Sequence, residues 1–197
     1  MGLSFHYRGR LNSPDSLSPL IEELTDIAII NNWKYFVFDK QFVGNKFTDK
    51  PEKVNLFGIG ITPPESETAC FTFASNGKMC NIISMKTSDY LDDMETNPHF
   101  YDLSVKTQYA TVAIHKQLVL LFDYINKKYL ADLYFYDEGE FWETRDEAKL
   151  KENFDRNMFF IESFKSTLEN VPTNEGESIQ DYILRMTEIV KKNNPNE

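Results

Sequence analysis

The sequence contains few of the residues from which catalytic and metal sites are usually built. Its 197 residues include two cysteines and three histidines, and the histidines lie far apart at positions 6, 99 and 115. No segment matches the nucleophile elbow of hydrolases, a glycine-rich phosphate loop, a dinucleotide-binding fingerprint or the His-Glu-x-x-His zinc motif. The sequence therefore predicts no catalytic residue, no metal site and no cofactor, and it favours a protein that is not an enzyme.

Positive charge and long hydrophobic runs are also scarce. Lys and Arg number 21 against 31 Asp and Glu, which gives a net charge of −10 and a pI near 4.8. Nucleic acids and anionic membrane surfaces attract basic proteins, so we expect neither as a partner. The longest apolar-rich run, 109–129, is interrupted by polar residues at 115–117 and 123, which makes it a poor membrane span. Because the N-terminus also lacks the apolar core of a signal peptide, we expect a cytoplasmic protein.

The two cysteines flank a strong turn signal. Asn76-Gly77 is the kind of dipeptide most typical of a tight β-hairpin, and Cys70 and Cys80 lie on either side of it. A two-residue turn would pair Phe73 with Cys80 and direct Cys70 to the opposite face of the sheet. We therefore expect both thiols to be free.

Bulky residues, in contrast, are abundant. Hydrophobic residues make up 41% of the chain, with 16 Phe and 10 Tyr, so a packed globular core is expected. Residue patterning predicts strands over 3–11, 33–42, 54–62, 68–74, 78–85, 100–106 and 130–136, helices over 14–30, 108–129, 144–168 and 179–190, and an acidic loop or short helix over 86–98. We predict a single α+β domain over 1–197, with a mainly antiparallel sheet, helices packed on one side of it and a polar tail at 191–197.

The densest cluster of charge, residues 137–147, joins a predicted strand to a predicted helix. Within it, Thr144 and Glu147 fit a capping box, in which each side chain accepts a free backbone N–H of the other. Together with a turn at Gly139, this explains part of the segment without any function. The remaining residues of the segment, which begin at Asp137, have three possible interpretations. They form a structural turn, they contact a partner or ligand, or two of their carboxylates act as an acid–base pair. Its binding candidates are Glu138, Glu140, Trp142, Glu143 and Arg145.

A second polar segment lies where the predicted buried helix begins. Gln108, Thr111 and His115 are three and four residues apart, so a helix would place them on one face, and Lys106 precedes them. This group is a candidate site for an anion or a carboxylate. The alternative is that His115 is a core histidine hydrogen-bonded to a neighbouring strand.

A third polar group is basic. His6, Arg8 and Arg10 alternate with apolar residues in the first predicted strand, so they share its outer face. In an acidic protein such a row either pairs with surface carboxylates or binds an acidic ligand.

Two of these segments also carry a resemblance. Residues 105–110 followed by His115, together with 137–146, resemble a family of uncharacterised bacterial proteins, and the likeness extends over roughly residues 50–150, including the hairpin region. The family has no established activity, so the resemblance implies no role for any residue. It implies only that the two polar segments belong together in the fold.

Two functional hypotheses follow. The first is a non-catalytic cytoplasmic binding protein of accessory or immunity type, which docks a protein partner through an acidic or aromatic surface that includes an exposed Trp142. The acidity fits such a surface, and it also fits a simply solvated one. The second is a small enzyme or ligand sensor whose pocket joins Lys106, Gln108 and His115 to a carboxylate, within about one water of His115. The candidate carboxylates are Glu138, Glu140 and Glu143.

Overall fold

The computed structural model describes residues 3–51, 55–81 and 98–193. It confirms the predicted α+β class: the described strands form two antiparallel sheets of three strands each, and helices pack against them. The predicted acidic segment falls outside the described residues except for its last position, and so does the predicted second hairpin strand beyond residue 81. Among the described residues, no helix has the length and hydrophobicity needed to cross a membrane.

The first sheet is built around the N-terminal strand. β1 (Ser4–Leu11) lies between β5 (Leu103–Lys106) and β6 (Leu130–Asp137), and it is antiparallel to both. The alternation predicted for β1 is confirmed, because Phe5, Tyr7 and Leu11 are buried while His6, Arg8 and Arg10 are exposed. This sheet therefore has an apolar inner face and a polar outer face.

The second sheet has the strand order β2-β3-β4, formed by β2 (Lys34–Val37), β3 (Phe57–Thr62) and β4 (Ala69–Phe73). β2 is much shorter than the strand predicted over 33–42. The chain leaves the sheet because Phe42 turns inward, where its ring packs on those of Phe47 and Phe57. Burial of this aromatic side chain has overridden the local strand propensity.

The hairpin after β4 forms, but its register differs from the prediction by one residue. Phe73 pairs with Met79 rather than with Cys80, and the N–H of Gly77 donates to the carbonyl of Ala74. Gly77 has a φ of 79°, so the loop has three residues and a left-handed glycine, the arrangement of a type I turn followed by a bulge. This register brings Cys80 opposite Thr72, which lies on the same face of the sheet as Cys70. The prediction that the two cysteines face opposite sides is therefore wrong.

Both thiols are nevertheless free, as expected. Burial raises the pKa of Cys70 to about 11. Burial, and then the neighbouring Cys70, raises the pKa of Cys80 still further. Neither sulfur is therefore a thiolate at neutral pH.

Five helices complete the described fold. α1 (Leu17–Ile30) packs against β2 and β3, and α2 (Val112–Tyr129) packs against β6. A single-turn helix, α3 (Phe141–Thr144), leads to α4 (Glu147–Asn170), which packs against α5 (Ile179–Asn193). One apolar cluster joins both sheets to α1, α2, α3 and α4.

Two predicted helix starts are wrong. α2 begins after Thr111, whose hydroxyl accepts the N–H of Ile114, so Gln108 precedes the helix and does not share a helical face with His115. α4 begins after Asp146, whose carboxylate accepts the N–H groups of Ala148 and Lys149. Asp146 replaces the predicted capping box because Thr144 already ends α3. At the start of α5, the Ser178 hydroxyl accepts the N–H of Asp181.

Candidate functional site

His115 occupies a buried network that joins three elements. It lies in the first turns of α2, Thr107 directly follows β5, and Asp137 ends β6. The Thr107 hydroxyl lies 2.8 Å from His115 Nδ1, and His115 Nε2 lies 3.0 Å from Asp137 Oδ1. Because the Asp137 carboxylate accepts from N–H groups, Nε2 carries a hydrogen in this arrangement. The network ties the start of α2 to the ends of two strands.

The Asp137 carboxylate accepts hydrogen bonds on both oxygens. Oδ1 accepts from His115 Nε2 and from the N–H of Gly139, and Oδ2 accepts from the N–H groups of Phe141 and Trp142. Burial acts to raise the pKa of Asp137, but these hydrogen bonds, that from His115 foremost, hold the pKa below its usual value. The carboxylate thus takes the place of a helix cap for the short helix α3.

The network is closed to solvent. The side chains of His115 and Asp137 have no exposed surface, and Thr107 is also fully buried. Phe5 and Phe154 pack against the imidazole, with ring centroids 4.4 and 5.3 Å from it. A hydroxyl, an imidazole and a carboxylate in this order could relay a proton, but no substrate can reach the hydroxyl. The arrangement is that of a core histidine hydrogen-bonded to a neighbouring strand.

The other residues predicted for this pocket lie outside the network. Lys106 is exposed at the end of β5, and Gln108 is buried beside the network. Glu138 accepts the N–H of Ser4, and its second oxygen lies 3.7 Å from His6 Nε2. Since His115 is sealed from solvent, these side chains do not share an open cleft with it.

The residues predicted as a partner contact lie on and beside α3. Trp142 is half-buried, with its ring 4.4 Å from that of Phe135, so it is part of the core edge rather than an exposed anchor. Arg145 covers the Trp142 ring at 5.1 Å and pairs with Asp123 at 3.6 Å. Glu143 is exposed. Near it, Glu140 forms an ion pair with Lys149.

An open cleft of about 440 Å³ lies on the outer face of the first sheet. β1 supplies Arg8 and Arg10 to it, and the cross-strand partners of these residues on β6 are Tyr134 and Asp132, respectively. Lys78 reaches the cleft from the hairpin, where its backbone forms an antiparallel β-bridge with that of Arg10. We call this cleft the basic cleft, and its lining side chains are Arg8, Arg10, Lys78, Tyr101, Asp132 and Tyr134.

Aromatic rings hold the three cations of the basic cleft. The Arg8 guanidinium lies 4.6 Å from the centre of the Tyr134 ring, and the Lys78 ammonium lies 5.0 Å from that of Tyr101. Arg10 lies 5.3 Å from the Phe47 ring. Cation–π contacts of this kind fix a charge in place without neutralising it.

Carboxylates satisfy only part of this basic surface. Arg8 pairs with Asp102 at 3.4 Å. Within the part of the chain that the structure describes, Arg10 and Lys78 have no carboxylate partner within 4.0 Å. Surface pairing therefore accounts for His6 and Arg8, whereas the charges of Arg10 and Lys78 stay available to an acidic ligand.

Only some of these positions carry a signal in the amino-acid sequence. The basic row was visible from the alternation of β1, but Tyr134 and Asp132 join it only through the register of β6. Lys78 joins it through the bridge to Arg10, which local patterning does not indicate. Asp137 did carry a signal, since a carboxylate two residues before a glycine is typical of a turn that it caps itself.

In the ranges 3–51, 55–81 and 98–193, no three His, Cys, Asp or Glu side chains are grouped as a metal ion would require. The resemblance to uncharacterised bacterial proteins stays a prediction and assigns no activity. Comparison of the chain with known protein families, with curated proteins and with solved structures finds no match in any of the three.

Proposed function

We propose that this protein is a non-catalytic binding protein and that the basic cleft is its recognition site. The observation that carries the proposal is the set of three cations, Arg8, Arg10 and Lys78, around an open concave surface of a protein with a net charge of −10. A local charge of opposite sign to the rest of the molecule attracts a negatively charged partner and orients it as it approaches.

The absence of catalysis in this proposal is supported by the burial of the Thr107–His115–Asp137 network. Among the described residues, these three side chains form a chain of hydrogen bonds suited to proton transfer, and all three are buried. A ligand sensor or small enzyme with a pocket at His115 needs an accessible imidazole. The accessory or immunity-type role in the cytoplasm remains part of the proposal, and the bound species is a negatively charged ligand or protein partner.

The experiment is capture of the tagged full-length protein from its native cells at native expression. Proteins are identified by mass spectrometry, and small molecules by native mass spectrometry of the eluate. A variant with Arg8→Ala, Arg10→Ala and Lys78→Ala is compared with the wild type. The matched control is Lys127→Ala, Lys151→Ala and Lys165→Ala, which removes three exposed lysines that form (i, i+4) surface pairs on helices.

We expect a stoichiometric ligand or partner with the wild type and the lysine control, and its loss with the cleft variant. If the bound species stays with the cleft variant and is lost with Trp142→Ala, the recognition site is the α3 surface and the basic cleft is not. If nothing co-elutes with the wild type, the binding function itself is refuted. Circular dichroism of each variant shows whether the fold is retained.

A further inference from the structure

The chemistry of the basic cleft specifies a class of ligand, in an inference that rests on the proposed binding function. We propose that the cleft binds a phosphate monoester of a small molecule that also carries hydroxyl groups, such as a phosphorylated sugar.

The charge of the lining favours a doubly charged group. Arg8 is already paired with Asp102, which leaves two cations of the lining, Arg10 and Lys78, that have no carboxylate within 4.0 Å among the described residues. A phosphate monoester carries a charge of about −1.5 to −2 at neutral pH, whereas one carboxylate carries a single charge. The monoester therefore matches these two unpaired cations, whereas a lone carboxylate matches only one of them.

The arrangement of donors also suits phosphate. Arg8 and Arg10 are two residues apart on one strand, so their backbones are separated by roughly 7 Å and their side chains leave the same face. Lys78 lies across the ladder from Arg10. A guanidinium presents several N–H donors in one plane, and a phosphate presents three terminal oxygens, so each cation has a separate oxygen to bind.

Cation–π contacts leave those donors available. The Tyr134 and Tyr101 rings attract Arg8 and Lys78 through their faces and accept no N–H bond on an oxygen in doing so. Of the two arginines, Arg10 is the better anion ligand, because Arg8 already shares a hydrogen bond of 3.4 Å with Asp102. We therefore assign Arg10 and Lys78 as the principal phosphate ligands.

Asp132 supplies the second half of the selectivity. It stands directly opposite Arg10 in the β1–β6 ladder and is exposed at the cleft. A carboxylate repels the phosphate itself but accepts hydrogen bonds from hydroxyl groups. A ligand with hydroxyl groups beside its phosphate can bind Arg10 through the phosphate and Asp132 through a hydroxyl group. Inorganic phosphate can bind only the cation.

The size of the cleft agrees with a small molecule. Its volume of about 440 Å³ lies within the range of roughly 300–1,000 Å³ that is common for small-molecule sites. β1 and β6 are hydrogen-bonded strands of the first sheet, Lys78 is held by a backbone bridge to Arg10, and Tyr101 comes from a single 3-10 turn before β5. The site is therefore largely formed before a ligand arrives.

The test is calorimetric titration of the full chain with four probes: ribose 5-phosphate, inorganic phosphate, ribose, and a phosphoserine peptide. We expect ribose 5-phosphate to bind more tightly than inorganic phosphate and ribose to show no binding. Arg10→Ala should weaken the binding of ribose 5-phosphate about tenfold or more, because it removes charged hydrogen bonds. Lys151→Ala, an exposed lysine on α4, should leave it unchanged.

Asp132→Asn tests the hydroxyl contact separately. It should bring the affinities for ribose 5-phosphate and inorganic phosphate closer together, since the acceptor for the hydroxyl groups loses its charge. A raised salt concentration should weaken binding of both phosphates to the wild type. Because Arg10 is exposed, its variants should unfold at the wild-type temperature, and Arg10→Lys should retain part of the affinity.

Each outcome decides the inference. Binding of the phosphoserine peptide with no binding of ribose 5-phosphate would overturn the small-molecule assignment, and so would affinities unchanged by Arg10→Ala. If no phosphate probe binds while capture from cells yields a partner that depends on the cleft, this inference fails and the proposed function stands. If both experiments are negative, both proposals fail.

Discussion

His115 and Asp137 lie 3.0 Å apart, and neither side chain has any exposed surface. All four groups bonded to the Asp137 carboxylate are N–H donors, three of them from the backbone just after it. The pair therefore fixes the path of the chain between β6 and α4 while anchoring α2. Its role is to hold these three elements together.

The first prediction concerns the charge of Asp137. Asp137→Asn keeps the shape of the side chain but replaces one acceptor oxygen with an NH₂ donor. That NH₂ group faces N–H donors, so hydrogen bonds are lost and buried N–H groups are left without an acceptor. We expect a loss of about 3 kcal/mol in the free energy of unfolding, measured in urea. Glu143→Gln, an exposed change of the same kind in α3, should cost less than about 0.5 kcal/mol. Equal stabilities for the two variants would refute the structural role of the network.

The second prediction is the pH dependence of that contribution. Burial acts to raise the folded-state pKa of Asp137. The hydrogen bonds that its carboxylate accepts from His115 and the backbone outweigh burial, so the pKa lies below its usual value. The stability from this carboxylate is therefore complete above its unfolded pKa of about 4, and it is lost as the pH falls through the lower folded value. The difference in unfolding free energy between wild type and Asp137→Asn should narrow below about pH 4. A constant difference across urea titrations from neutral to acid pH would contradict this.

The third prediction concerns the close approach of Gly139 to the network. A Cβ at this position would lie 2.7 Å from His115 Nε2 and 2.8 Å from Leu150 Cδ1, both of which are buried. Gly139→Ala should cost about 1–3 kcal/mol, since packed side chains must shift to admit the methyl group. Thermal unfolding checks this, with Glu143→Ala on α3 as the control. An unchanged melting temperature would contradict this, because it would mean that the neighbouring side chains move aside without loss of stability.

The fourth prediction concerns the link between the two sheets. The Tyr7 hydroxyl donates to the carbonyl of Cys70 and accepts its N–H, both at 3.0 Å, which joins β1 to the edge of β4. Tyr7→Phe leaves both backbone groups without their partner, so we expect a loss of about 1–3 kcal/mol in unfolding free energy. Tyr134→Phe, at an exposed tyrosine on β6, should be close to neutral. Denaturant unfolding of both variants distinguishes a structural hydroxyl from a solvated one.

The fifth prediction concerns thiol reactivity. Burial raises the pKa of Cys70 to about 11 and raises that of Cys80 as well, so the reactive thiolate is scarce in the folded protein. A thiol-reactive disulfide reagent should label neither cysteine rapidly at about pH 8, and both should react once the chain is unfolded in urea. Rapid labelling of the folded protein, mapped by mass spectrometry, would show an opening that the structure does not contain.

The strands and helices were largely predictable because their signals are local. Alternation of apolar and polar residues identified β1 with its basic outer face, and helical spacing of apolar residues identified α1, α2 and α4. Their ends were less predictable, since they depend on which side chain finds a backbone N–H to accept. Thr144 and Asp146 both had suitable chemistry, and only the packing of α3 decided that Asp146 caps α4.

The sites depended on information that local patterning does not hold. The sequence singled out His115 and left open whether it lined a pocket or belonged to the core, and the tertiary contacts with Phe5, Phe154 and Asp137 put it in the core. The sequence alone determined the class of fold, the outward direction of Arg8 and Arg10, and the scarcity of motif chemistry. Strand register, which depends on long-range backbone pairing, decided that Lys78, Asp132 and Tyr134 would meet those two arginines in one cleft.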